Sequence, residues 1–425
     1  MKKRISLFFA YGLFWLIYFL VVKAFFLAFN WSQILNISLL DVFKVFEHGF
    51  SMDLSTSSIL LLVPGLLIFS TTLYNYRAYA IILHSYTIIL LVLITLLVVG
   101  DAELYGYWGY RIDVVVLNYL KTPKEAFASV SIWVIVRQLI IASILFLTFI
   151  YGYRKTIMKM IVLPKVHPAF GLLMLFLIAS LIIPIRGGFG IAPMNTGRVY
   201  FSSNNFLNHS GINVLWNMGF SISEHKNVHE QYNYFKTEQV RELTNPLLNQ
   251  NLPPDSMVLK TSRPNIIILM LESFSAKVIE PLGGLPGITP NIDKLCSEGI
   301  LFTNFYANGD RSDKGIISIL CGYPAQPVTS VIVYSNKTES LPKLFINMKE
   351  IGYQTSFYYG GDLDFANMRS YLLASKIDHI VSKDDFPAST YNSKWGSHDH
   401  IVLKRFYEVE YLSKFRKIII SQSFK

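Results

Sequence analysis

Charge is scarce in this chain. Asp, Glu, Lys and Arg make up 16% of its 425 residues, against roughly 25% in soluble domains, so an ordinary soluble protein is excluded. Cysteine is scarcer: Cys296 and Cys321 lie 25 positions apart, with no CxxC. That excludes a cysteine-scaffolded domain and a cysteine zinc site, and it favours buried free thiols over a bridge. Internal repeats and low-complexity stretches are lacking, which excludes a solenoid. A net charge of +10 would suit nucleic-acid binding. Much of that excess sits in short loops between apolar runs, where membrane topology accounts for it, so no nucleic acid is expected.

What the chain has instead is apolar surface, with 52% hydrophobic residues and a mean hydropathy of +0.39. Five stretches match the ~20 helical residues that cross a bilayer. They are approximately Ile5–Phe29, Leu54–Leu73, Ala78–Val99, Ile132–Tyr151 and Ala169–Ile185. The first is too long and too aromatic for a signal peptide and lacks a small-residue cleavage site. Lys23 inside it must snorkel or face a helix partner.

Basic residues set the expected orientation. Lys2, Lys3 and Arg4 precede the first span, Arg77 lies in the loop after the second, and Arg154, Lys155, Lys159 and Lys165 lie in the loop after the fourth. The intervening loops hold fewer, and acids offset those in the second of them. The positive-inside rule therefore predicts a cytoplasmic N-terminus and an extracytoplasmic chain after Arg186. The loop 101–130, with Asp101, Trp108 and Arg111, reads either as an interfacial aromatic belt with solvated charges or as a docking surface for the outer domain or a lipid headgroup. Residues 1–185 thus form a five-helix membrane domain and 186–262 a juxtamembrane connector ending in the linker Leu252-Pro253-Pro254-Asp255.

From 263 to 425 the pattern changes to alternating strand and helix, which implies a largely parallel sheet covered on both faces. Expected strands are Ile266–Leu271, Ile300–Phe305, Gln354–Tyr359 and the run from Lys417. Expected helices are Pro290–Glu298 after a Thr289 cap, Lys314–Cys321, Ser340–Ile351, Asp364–Leu373 and His398–Leu412. In such sheets chemistry sits beyond the carboxyl ends of the strands. The first strand ends at Glu272-Ser273, and a later polar segment carries Ser312 between Arg311 and Asp313. An acid and a hydroxyl so placed suit a metal-and-nucleophile site. Ser312 alone reads equally as a helix cap, and Asp313 and Lys314 as a salt-bridged surface.

Pro264–Phe274, Thr289-Pro290-Asn291-Ile292-Asp293-Lys294-Leu295, and Arg311-Ser312-Asp313-Lys314-Gly315 ahead of Gly322-Tyr323-Pro324 resemble the sulfatase-like branch of the alkaline phosphatase superfamily. More narrowly they resemble lipoteichoic acid synthase-like phosphoglycerol transferases, which have five membrane helices and an extracytoplasmic sulfatase-fold domain in the bacterial cell membrane. The resemblance implies a divalent metal ion (Mn, Mg or Zn) held by Glu272 and Ser312. It implies Ser312 as a nucleophile forming a phospho-ester, with Arg311 on the phosphate oxygens. Trp395 and Asp399, in Trp395-Gly396-Ser397-His398-Asp399, and Asp362 would shape the headgroup pocket. The implied partners are a phosphatidylglycerol-like membrane lipid and an extracytoplasmic glycan or lipid acceptor. Phosphoethanolamine transferase and sulfatase stay open as alternatives, although Lys314 stands two residues after Ser312, where many sulfatases have Pro. The Asp378-His379 and Asp399-His400 pairs do not match the family's Asp-His metal element. The chain stops at Lys425, where further strands and that element are expected, so the resemblance implies an incomplete catalytic domain and leaves a non-catalytic role open.

Overall fold

The computed structural model describes residues 1–35, 37–74, 78–114, 116–119, 131–224, 234–248, 259, 261–327, 329–393, 396–411 and 417–423. The chain divides into two compact units, Met1–Phe189 with Asn205–Ser262, and Gly190–Asn204 with Arg263–Lys425. The connector expected over 186–262 is thus shared between them. The expected linker at 252–255 lies outside the described residues.

In the first unit, five helices are long and apolar enough to cross a membrane: Lys2–Phe29, Leu39–Leu73, Ala78–Trp108, Ile132–Met160 and Pro168–Arg186. Three, the second, third and fourth, outrun the apolar stretches. The second begins at Leu39 because the Ser38 hydroxyl accepts the Asp41 N–H at 3.1 Å, a side-chain cap for one of the helix's unpaired donors. The third continues to Trp108, through Asp101 and Glu103. One face of the first helix presents Tyr11 and Tyr18, whose hydroxyls reach Thr87 and Thr95 on the third helix at 2.6 and 2.9 Å. Each pair satisfies a polar tip inside apolar packing.

Lys23 faces a partner. Its ammonium lies 2.7 Å from the Asp53 carboxylate on the second helix and donates to the Gly211 carbonyl at 3.2 Å. Asn213 donates to the other Asp53 oxygen at 2.9 Å. The Asp101 and Arg111 charges are not solvated: their side chains are 1% and 7% exposed and 2.8 Å apart. Asp101 also accepts the Ile112 N–H at 2.8 Å, and the Arg111 guanidinium lies 4.0 Å from the Phe26 ring centroid. Arg111 donates to the His209 carbonyl, and Asn217 donates to the Ile112 carbonyl. The loop after the third helix is therefore clasped to the helices Asn205–Gly211 and Val214–Glu224, because bare charges at such burial are costly.

The second unit holds a four-stranded parallel sheet in the order β1-β6-β2-β3, with β1 at Ile266–Leu271, β2 at Gln354–Tyr359, β3 at His379–Val381 and β6 at Lys417–Ser423. A two-stranded antiparallel pair joins β4, Tyr391–Ser393, to β5, Gly396–Ser397. Tyr359 aligns through Gln422 with Met270, so β1 and β2 end on one edge. Phe357 and Tyr359 pack with Ile316, Ile317, Leu320, Phe345 and Tyr371, and with Ile266, Ile268 and Met270 at the margin. The cover is one-sided at β1, where Ile267, Leu269 and Leu271 are exposed. Ile300–Phe305 is not a strand: no strand pairs with it among the described residues, and Ile300, Phe302 and Phe305 are exposed. Thr289 does not cap its helix by its side chain. Its hydroxyl donates to the Val278 carbonyl at 2.6 Å, while Asp293 accepts the Glu280 N–H at 3.1 Å. The Thr-Pro-Asn-x-Asp element is here a clasp on the preceding loop.

Asp53→Ala leaves the Lys23 ammonium buried without its carboxylate, a loss of about 3–5 kcal/mol. It should lower the melting temperature in detergent clearly, and Lys23→Met added to it should recover most of the loss. An Asp53→Ala protein that melts with the wild type would contradict a structural ion pair.

Candidate functional site

The shared edge of β1 and β2 gathers the acidic groups. Glu272 follows the last residue of β1 and is half-buried, and Ser273 then turns the chain with φ at 57°. A left-handed serine is uncommon and costs roughly 1–2 kcal/mol, so the turn is held by its surroundings. Beyond β2, Gly360 and Gly361 lead to Asp362, whose carboxylate accepts the Asp364 N–H at 2.9 Å. Between these acids lies Tyr359, 1% exposed. Burial pushes its hydroxyl well above the usual phenol range, and the charges of Glu272 and then Asp362 push it further. Tyr359 is a site residue that the sequence reading missed. Its one signal was its place as the last residue of a strand.

The segment carrying Asp399 meets the same edge. Ser397 donates its N–H to the Gly360 carbonyl at 3.0 Å, and Gly361 bridges to Gly396. Gly396 has φ at 127°, and a methyl there would overlap the Gly360 carbonyl. A methyl on Gly360 would sit 2.8 Å from Val402. The backbones can approach so closely only as glycines. Asp399 then opens the helix Asp399–Phe406, which packs Val402 and Phe406 against Tyr358 of β2. Asp362 and Asp399 are therefore drawn to one strand end. Trp395 lies outside the described residues.

Ser312 is the first residue of the helix Ser312–Cys321, whose inner face is Ile316, Ile317 and Leu320. The extended residue before it, Arg311, occupies the cap position, and no side chain caps the helix. Ser312 is therefore not the capping serine that its sequence also allowed. It is half-buried, and Arg311 is exposed. Lys314 is 7% exposed, not a surface lysine. It donates to Asp310 at 2.7 Å and to the Pro327 carbonyl at 2.9 Å. That hydrogen bond holds the Asp310 carboxyl below the usual carboxylate range.

Carboxylate and hydroxyl oxygens are the donors a hard divalent cation takes, but such a cation wants about six. Among the described residues no three His, Cys, Asp or Glu cluster to hold a metal. The donor types fit, and the described residues supply part of a ligand set. Asp378 is engaged elsewhere: it accepts the Thr355 N–H and hydroxyl at 2.9 Å each and pairs with Lys349. Cys296 and Cys321 are free thiols.

Residues 264–417 match the sulfatase family. An N-acetylglucosamine-6-O-sulfatase of Bacteroides thetaiotaomicron is 31% identical over 100 residues, 23% of this chain and 17% of that protein. Phosphoglycerol transferase I of Escherichia coli is 27% identical over 137 residues, 29% of this chain and 18% of that protein. The chain thus spans less than a fifth of the length of these curated relatives. A crystal structure of an alkaline phosphatase superfamily protein from Vibrio parahaemolyticus is 31% identical with a TM-score of 0.40, covering 46% of this chain and 50% of its own.

Asp310→Asn removes the counter-charge of a buried ammonium and should lower thermal stability at neutral pH. Because the folded Asp310 carboxyl is held low, its contribution is present above the unfolded carboxylate pKa and is lost as pH falls through the folded value. Melting curves of wild type and variant should therefore converge in acid. A gap that persists at pH 3 would show that the pair is not the cause.

Proposed function

We infer that residues 264–417, which match the sulfatase family, form a sulfatase-like domain, and that this chain, with five helices able to cross a membrane, is a membrane-anchored transferase of phospholipid headgroups. The observation that carries the reading is the strand edge where Glu272, Tyr359, Asp362 and the Gly396–Asp399 segment converge. Anchoring keeps the enzyme in the same two-dimensional phase as its lipid, which raises the effective concentration.

In this reading the Ser312 oxygen attacks the phosphorus of a phosphatidylglycerol-like lipid. The phosphorus–oxygen bond to diacylglycerol breaks, and diacylglycerol leaves as the alcohol with the proton that the serine gives up. Phosphoglycerol remains as an ester on Ser312. A hydroxyl of an extracytoplasmic glycan or lipid acceptor then attacks that phosphorus, and serine is restored. Arg311 binds phosphate oxygens, and the helix N-terminus at Ser312 favours the same negative charge. Glu272 and Ser312 would hold a divalent ion, which when bound neutralises phosphate oxygens and sharpens the nucleophile. Asp362 and Asp399 would shape the headgroup pocket. Tyr359, kept protonated by burial and its acidic neighbours, donates a hydrogen bond. The Lys and Arg bias of the loops supports a cytoplasmic N-terminus and an outer Ser262–Lys425.

A sulfate or phosphoethanolamine ester offers the same tetrahedral anion, and one of the curated relatives is named a sulfatase. The native gene product purified from membranes should release diacylglycerol from labelled phosphatidylglycerol, and Ser312→Ala should lower release by about 10³-fold or more. Turnover of phosphatidylethanolamine or an aryl sulfate in its place would move the assignment to those esters. Release that survives Ser312→Ala would remove Ser312 as nucleophile. Single cysteines at Lys159 and Lys337, in a background lacking Cys296 and Cys321, test orientation. An impermeant maleimide applied outside should label position 337 and spare 159, and the reverse would invert the topology.

A further inference from the structure

The segment Gly190–Asn204 directly follows the last apolar helix, yet it belongs to the same compact unit as the sheet. It lies against the loop that carries Asp362. Two consecutive non-glycine residues of that loop, Ala366 and Asn367, have φ at 51° and 62°. Such conformations cost of order 1–3 kcal/mol each and persist only where the surroundings impose them. Here the surroundings are specific. The Asn195 amide donates to the Asp364 carbonyl at 2.8 Å, while its oxygen accepts the Arg198 N–H at 3.2 Å. The Thr196 hydroxyl meets Ser335 at 3.1 Å. Asn367 donates to Ser335 and to the Ile332 carbonyl at 3.0 Å each. Gly197 lies so close that a methyl there would overlap the Asn367 side-chain oxygen. Tyr200 anchors the far end by donating to Glu339 at 2.8 Å. Thr196, Ser335 and Asn367 are all under 9% exposed.

The peptide of Asp364 is gripped from both sides. Its carbonyl takes the Asn195 amide, and its N–H goes to the Asp362 carboxylate. Arg369 fixes the Asp364 side chain at 2.6 Å. We propose that Asn195, Thr196 and Gly197 form a positioning strap, which sets the Asp362 carboxylate at the strand edge through the Asp364 peptide and Asn367. The inference rests on the reading that Asp362 lines the headgroup pocket. None of the strap residues touches substrate in that reading.

The test uses the full chain in detergent, with two readouts. The first is hydrogen–deuterium exchange. Asn195→Ala and Gly197→Ala should each speed exchange across 362–367 by roughly tenfold, the size expected for losing a hydrogen bond or two. Amides of β2 and of Ser312–Cys321 should be unchanged. In an Asn367→Gly background, where the overlapping oxygen is gone and φ near 60° is free, Gly197→Ala should add nothing. The second readout is diacylglycerol release from labelled phosphatidylglycerol by the native gene product, where Asn195→Ala should raise KM several-fold and leave kcat within about twofold. Unchanged exchange at 362–367 in both single variants, or equal loss of protection across β2, would overturn the strap. Faster local exchange with KM unmoved would uphold the strap and overturn the assignment of Asp362 to the pocket.

Discussion

A parallel ladder ends all its strands on one edge, and the candidate site depends on that constraint. β6 lies between β1 and β2, so Glu272 and Asp362 follow strands two ladder positions apart. Backbone pairing fixes their level, and the turn beyond each strand fixes their direction. After β1 it is the left-handed Ser273. After β2 it is a glycine pair pressed against Gly396 and Ser397. The second turn is pinned by the Ser397 N–H, which donates to the Gly360 carbonyl at 3.0 Å.

The membrane unit obeys the complementary constraint. Removed from water, a charge needs a partner, and the two buried pairs show where partners are found. Lys23 and Asp53 join the first two helices, and Asp101 with Arg111 folds back the end of the third. Around both pairs stand groups from 205–217: the Gly211 and His209 carbonyls and the Asn213 and Asn217 amides. The juxtamembrane helices are therefore part of the bundle's polar accounting, not a loose tether.

The sequence was legible where one residue type answers one local demand. Apolar runs marked all five membrane helices, because the length of such a run needs no tertiary information. The strand patterns likewise put Glu272 and Asp362 just beyond β1 and β2, where the structure has them. Helix extents were less legible. Leu39–Asp53 carries Asp41, Lys44, Glu47 and Asp53, which dilute hydropathy although Ser38 caps a continuous helix. Ile300–Phe305 opens with an apolar run as a strand would, but finds no neighbour to pair with among the described residues. β3 and the β4–β5 pair are too short for any pattern to emerge. Tyr359 and the strap were illegible because their meaning lies in contacts. Asn195 and Asp364 are 169 positions apart, and nothing near either residue announces the other.

Tyr359 also limits what chemistry its edge can perform. A buried phenol facing two carboxylates is opposed in ionising by low dielectric and by like charge, and both effects act in the same direction. A phenol so placed is disfavoured as a base or a nucleophile. In the proposed reading the nucleophilic oxygen is accordingly that of Ser312, and the acids would orient and neutralise. A cation at Glu272, as the proposed reading has it, would offset part of the field at Tyr359. An anion arriving without a cation would meet two negative charges and one donor. In the proposed reading these residues would favour a phosphate that comes with a counter-charge over a bare one.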